Sequence, residues 1–267
     1  MEKNIVIVRG GGDLASGVAV CLHEVGFGVL VTELAQPLVV RRAVSFAEAV
    51  EAGACIVDGI PGKKARGVAE ALELISEGMV AVMVDPECGS VESIKPMAVV
   101  DGRMLKKNLA CSFGGKIPFI GLGPGFEAGV NCWAAIETNR GPELGKILWE
   151  SSPQPDTGQP AAVRGYTRER VLYPHREGIF RAVVKIGEIV EVGQIIGDVQ
   201  GEPIKSQIRG VVRGMLRDGV YVTPKVKIGD IDPTCEVERC YKVSDKARII
   251  GDSVVRTLKS IENAGQY

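Results

Sequence analysis

A cluster of three glycines, set between a β-rich run and a helical pattern, constrains this chain more than any other feature. Ile5, Val6, Ile7 and Val8 lead into Arg9-Gly10-Gly11-Gly12-Asp13, and Leu14, Val18 and Leu22 then recur on one face of a helix. A second apolar run, Val29-Leu30-Val31, ends at Glu33. Gly10, Gly12 and Ala15 fit the G-x-G-x-x-G/A spacing of a nucleotide-binding βαβ unit. Glycines there allow a tight turn and close backbone approach to a phosphate, and a helix start offers free N–H groups. Residues 10–16 are therefore expected to approach a phosphate, and Glu33 to accept ribose hydroxyls. Asp13 places a carboxylate in the same loop, where it would repel a pyrophosphate unless a cation intervened. The alternative is a loop that only turns the chain, with Asp13 as helix N-cap.

Strands and helices alternate beyond this unit. Ser45-Phe46-Ala47-Glu48 reads as a capping box for a short helix ending near Gly53. Residues 54–57 predict a strand, 65–76 a helix and 79–84 a buried strand, with further strands at 99–100 and 117–120. This pattern predicts a Rossmann-like domain with a parallel sheet over residues 1–150. Ligands bind beyond the carboxyl ends of such strands. Asp85, Cys88, Asp101, Lys106 and Lys107 fall there and are the candidate catalytic residues. Asp85 or Asp101 would hold a cation or act as general base, Cys88 would be a nucleophile, and Lys106 or Lys107 would neutralise an anion. The turn at 121–125 adds Gly123 and Gly125 as a second clamp on the ligand, unless Gly-Pro-Gly there is simply a turn. The expected cofactor-binding set is Gly10, Gly11, Gly12, Asp13, Ala15, Ser16, Glu33, Gly123 and Gly125.

Composition narrows the classes. With 32 Lys and Arg against 33 Asp and Glu, the net charge of −1 gives no footprint for nucleic acid. No apolar run approaches the roughly 20 residues of a membrane helix, and Met1-Glu2-Lys3-Asn4 does not open a signal peptide. A cytoplasmic protein is expected. Seven scattered cysteines without a C-x-x-C pair predict no disulfide framework, and with two histidines no metal site is expected.

Residues 151–160, rich in Pro and polar side chains, mark a boundary, so 151–165 is read as a linker. Beyond it, residues 178–199 align without a gap on 210–231, pairing Gly178 with Gly210, Arg181 with Arg213, Gly187 with Gly219 and Asp198 with Asp230. Duplicated short β-runs suggest two interlocking hairpin-like halves. The phrase from Gly187 to Gly193 and Gln194 resembles the biotinyl/lipoyl-carrier pattern, which implies a barrel-sandwich hybrid over 166–243. Lys205 lacks a carrier lysine's flanking residues, so no covalent biotin or lipoyl group is expected. Val254, Val255, Leu258 and Ile261 predict a C-terminal helix over 244–267 that packs back on a domain.

Several long phrases together resemble one family. They are Arg9-Gly10-Gly11-Gly12-Asp13-Leu14-Ala15-Ser16-Gly17, Arg41-Arg42-Ala43-Val44-Ser45-Phe46, Gly121-Leu122-Gly123-Pro124-Gly125-Phe126-Glu127, Ile136-Glu137-Thr138-Asn139-Arg140-Gly141, Lys227-Ile228-Gly229-Asp230 and Ser244-Asp245-Lys246-Ala247-Arg248. They are similar to the selenium-dependent molybdenum hydroxylase system proteins, the YqeB-like family. The resemblance implies an accessory role in maturation or cofactor insertion of selenium-dependent molybdenum hydroxylases. The implied partners are the hydroxylase or its maturation proteins and a small anionic ligand, a nucleotide or dinucleotide of the NAD or molybdopterin type. A homo-oligomer stays open. An NAD(P)-dependent oxidoreductase and a non-enzymatic docking scaffold are the alternatives.

Overall fold

The computed structural model describes residues 4–106 and 117–264; the candidate Lys107 lies outside the described residues. The chain divides into two compact units: Met1–Pro37, Ser45–Asp156 and Val243–Tyr267 form the first, and Leu38–Val44 with Thr157–Lys242 form the second.

The first unit is built on a nine-stranded sheet. In chain order its elements are β1 (Ile5–Arg9), α1 (Asp13–Glu24), β2 (Gly28–Glu33), α2 (Glu48–Ala52), β3 (Ala54–Val57), β4 (Ile60–Ala65), α3 (Val68–Ser76), β5 (Val80–Val84), α4 (Ser90–Ile94), β6 (Ala98–Asp101), β7 (Phe119–Leu122), β8 (Ala134–Ile136), β9 (Ile147–Leu148) and α5 (Asp245–Ala264). The spatial order is β3-β4-β5-β2-β1-β6-β7-β8-β9. β1 and β2 are buried on both faces, as central parallel strands must be.

The expectation of a Rossmann-like, all-parallel sheet is corrected by this topology. The sheet is mixed: β3/β4 and β8/β9 pair antiparallel at its two edges. The alternation of strand and helix lapses after β5. α4 has only five residues, and no helix lies between β7 and the β8 strand that pairs with it in parallel. The helix expected at 65–76 is found at Val68–Ser76, and the strand β4, which was not expected, takes Ala65 as its last residue and forms a hairpin with β3. Asp58 and Gly59 form its turn with φ of 46° and 82°, the geometry that Asp-Gly favours in a two-residue hairpin loop.

α5 lies on α1. Ala247, Ile250, Val254 and Leu258 form its fully buried stripe at helical spacing. Arg248 anchors its first turns, donating to Glu24 at 2.6 Å and to Asp58 at 2.7 Å.

The second unit contains β10 (Val171–Leu172), β11 (Gly178–Ala182), β12 (Ile189–Val190), β13 (Ile195–Val199), β14 (Glu202–Lys205), β15 (Gly210–Met215), β16 (Tyr221–Val222) and β17 (Gly229–Asp232). They form two four-stranded antiparallel sheets, β10-β17-β15-β12 and β14-β13-β11-β16. The expected biotinyl/lipoyl-carrier-like barrel-sandwich hybrid is corrected to this pair of sheets. The repeat dictates the pairing reciprocally. Gly178 faces Val222 across β11/β16, and Gly210 faces Val190 across β15/β12, the same contact moved by 32 residues and exchanged between halves. Each half therefore completes the other's sheet. Phe180, Ile196, Val212, Ile228 and Ile231 fill the core between them. Lys205 stands opposite Ile195 at the end of β14, away from the Gln200–Gly201 turn.

Candidate functional site

The parallel register sets the polar ends of four strands side by side. Arg9 of β1 lies between Thr32 of β2 and Asp101 of β6, and Glu33 lies opposite Val84 of β5. Each residue of the glycine turn that follows β1 has its own task. Gly10 adopts φ +84° and donates its N–H to Thr32 O. Gly11 donates to Glu33 Oε1 at 2.6 Å, and a Cβ there would stand 2.7 Å from the Ala47 nitrogen. Ser16 Oγ donates to Gly11 O and accepts the Phe46 N–H. Ala15 is the small residue against which Gly102 packs; a Cβ on Gly102 would sit 2.6 Å from that of Ala15.

Gly12 differs from its neighbours: a Cβ there would meet nothing within 4 Å. It is also the N-cap of α1, with φ −67° and ψ 177°. The alternative that made Asp13 the N-cap is thereby corrected; Asp13 is the first helical residue, and its Oδ1 accepts the Leu14 N–H. The ribose role expected of Glu33 is corrected too. Its carboxylate accepts from Gly11 and Leu34, and it is 9 % exposed. Glu33 braces the turn, and with it goes the feature that pointed to NAD.

Asp101 is fully buried and lies between two guanidinium groups. Arg103 grips it from Nη2 at 2.6 Å and from Nε at 3.0 Å, and Arg9 Nη1 lies 3.7 Å away. So held, it is not a free general base or a cation ligand. Asp85 accepts the N–H groups of Gly89 and Ser90, both at 2.9 Å. Burial pushes its pKa up, but the backbone N–H donors and the nearby Arg9 lower it, and the net shift is downward. The stability that Asp85 contributes is therefore present above the ordinary carboxylate pKa and lost as pH falls through its depressed value.

Cys88 is 1 % exposed, and burial pushes its thiol up to about 11. At pH 8 about one part in a thousand is thiolate, which removes the nucleophilic role expected of it. Iodoacetamide at pH 8 is expected to leave Cys88 unmodified in the native protein and to label it after denaturation; mass spectrometry of the tryptic peptide reads the difference. Lys106 pairs with Asp156 at 2.8 Å on the surface.

The segment after Asp101 brings the two glycine turns together. Arg103 Cγ lies 3.3 Å from where a Gly10 Cβ would be, Met104 Cε 3.2 Å from that of Gly123, and Leu105 O 2.6 Å from that of Gly125. Gly123 has φ +86°, and Gly125 makes room for the Leu105 backbone. Both thus have packing reasons to be glycine.

Five residues that sequence reasoning did not assign to the site also belong to its surroundings. Arg9 and Arg103 hold Asp101. Glu137, 3 % exposed, accepts the N–H groups of Asn139 and Gln154. Arg140 forms a two-pronged pair with Asp245. Lys246 is half-buried on the first turn of α5. Desolvation and Arg140 lower its pKa, while Asp13, Glu137 and Asp245 oppose that shift. Lys246 is thus a cation whose charge is felt by Asp13 of the glycine turn. Both phrases, Glu137-Thr138-Asn139-Arg140 and Asp245-Lys246, were visible in the sequence, but nothing there showed that they converge. Among the described residues no group of three His, Cys, Asp or Glu side chains is placed to hold a metal, and no helix is long and apolar enough to cross a membrane.

Comparison with known proteins bears on the family. Over 261 residues, 98 % of its length, the chain is 42 % identical to a protein of Escherichia coli (strain K12) described as uncharacterized protein YqeB. The chain is thus similar to YqeB along nearly its whole length. It spans about half, 48 %, of that relative's length. No family model matches. Among solved structures, an aspartoacylase family protein from Mesorhizobium loti aligns over 86 % of this chain and 85 % of its own at 14 % identity and a TM-score of 0.27. A succinylglutamate desuccinylase/aspartoacylase from Rhodobacter sphaeroides aligns over the same shares at 13 % identity and a TM-score of 0.26. Scores this low assign neither a fold nor an activity to this chain.

Proposed function

We propose that this chain is an accessory protein for the maturation or cofactor insertion of selenium-dependent molybdenum hydroxylases, and that its first unit takes a nucleotide or molybdopterin-dinucleotide-type ligand. The observation that carries the ligand reading is the open space at Gly12. Gly11, Ala15 and Ser16 are closed in by protein, whereas Gly12 caps α1 with room beside it. A helix of 12 residues presents N–H groups and a positive dipole end there. Lys246 offsets the charge of Asp13, which is otherwise the obstacle to an anion. The phrases that resemble the selenium-dependent molybdenum hydroxylase system proteins support the maturation role, and the 42 % identity to YqeB is consistent with that resemblance. With Cys88 a buried thiol, the reading includes no selenium-handling cysteine at this site.

Thermal-shift titration with NAD, ATP, CTP and molybdopterin cytosine dinucleotide, with and without magnesium, tests the reading. A ligand at one hundred times its Kd stabilises the folded state by about 2.7 kcal/mol, a rise of several degrees for a chain of this size. The expected result is a shift with the cytosine compounds. Gly12→Val, whose side chain has room to fold but fills the space, is expected to lose that shift with little change in its own melting temperature. An unchanged shift in Gly12→Val removes the turn from the site. A shift with NAD alone replaces the reading with an oxidoreductase, and no shift with any compound replaces it with a docking scaffold.

A further inference from the structure

We draw no further inference here: the strongest candidate, the exposed apolar face of the β14-β13-β11-β16 sheet around Ile179, Val183 and Tyr221, carries nothing, because Arg181 stands opposite Asp198 at its centre and nothing in the structure shows what covers it.

Discussion

Asp101→Ala is expected to destabilise the first unit by about 3–5 kcal/mol, the usual loss when one partner of a buried ion pair is removed. Asp101 is completely buried, and Arg9 beside it is 4 % exposed. Arg9 Nη2 keeps a bond to Pro86 O at 2.9 Å and Asp85 stays nearby, but the variant removes the fully buried carboxylate that lies between the Arg9 and Arg103 guanidinium groups. Arg103→Ala is expected to do less, because Arg103 is 30 % exposed and its removal leaves Asp101 still facing Arg9. The double variant Arg9→Met with Asp101→Ala separates the charge effect from packing. Apolar replacement of a whole buried pair is often close to neutral, so the double variant is expected to be more stable than Asp101→Ala alone. Urea unfolding monitored by circular dichroism reads all three variants through the midpoint at constant slope. A double variant less stable than the single one would show that Arg9 stabilises by packing rather than through Asp101.

What could be read from the sequence follows the range of the interactions involved. β1, the glycine turn, α1 and β2 are local, set by apolar runs and by residues that need unusual backbone geometry, and the pattern of residues 5–33 placed them. The β3/β4 hairpin was also within reach: Asp58-Gly59 between two β-rich runs is its signal. The expectation at 65–76 instead began the helix at Ala65, which is the last residue of β4. The sheet as a whole was not legible, because strand order and the antiparallel edges depend on pairings between distant segments that leave no period in the sequence. The site divides the same way. That Gly10 to Gly12 form a turn could be read locally, but not that Glu33 would brace it or that Ala47 would crowd Gly11. Asp101 looked like a candidate base because nothing in the sequence brings Arg9 to it across 92 residues. Lys246 was out of reach for the same reason, since it arrives on α5 from the far end of the chain.

The contact between α1 and α5 gives the second large expected effect. Gly17 sits so close to Ala247 that a Cβ on it would be 2.5 Å from the Ala247 Cβ, and a Cβ on Gly251 would lie 2.5 Å from Cys21 Sγ and 3.0 Å from Gly17 O. Two small-residue pairs, Gly17 with Ala247 and Cys21 with Gly251, therefore set the distance between these helices. Helix propensity alone predicts that Gly251→Ala stabilises the interior of α5 by about 1 kcal/mol. The clash has the opposite sign and involves backbone as well as a side chain, so the helices must separate along a stripe that includes Ile250, Val254 and Leu258. Overpacking of this kind costs about 1–3 kcal/mol, and Gly251→Ala is therefore expected to be destabilising on balance. Gly251→Leu, which adds a side chain too large for any local shift, is expected to lose upwards of about 3 kcal/mol, a fall in Tm on the order of 10 °C. Cys21→Ala removes the Sγ that the new Cβ meets first, so adding it to Gly251→Ala is expected to restore part of the loss. Ile249→Ala, on the 40 % exposed side of the same helix, is expected to change Tm little. Differential scanning calorimetry of the four variants decides the matter: a Gly251→Ala variant more stable than wild type would mean that the crossing is looser than 2.5 Å allows and that propensity, not packing, governs α5.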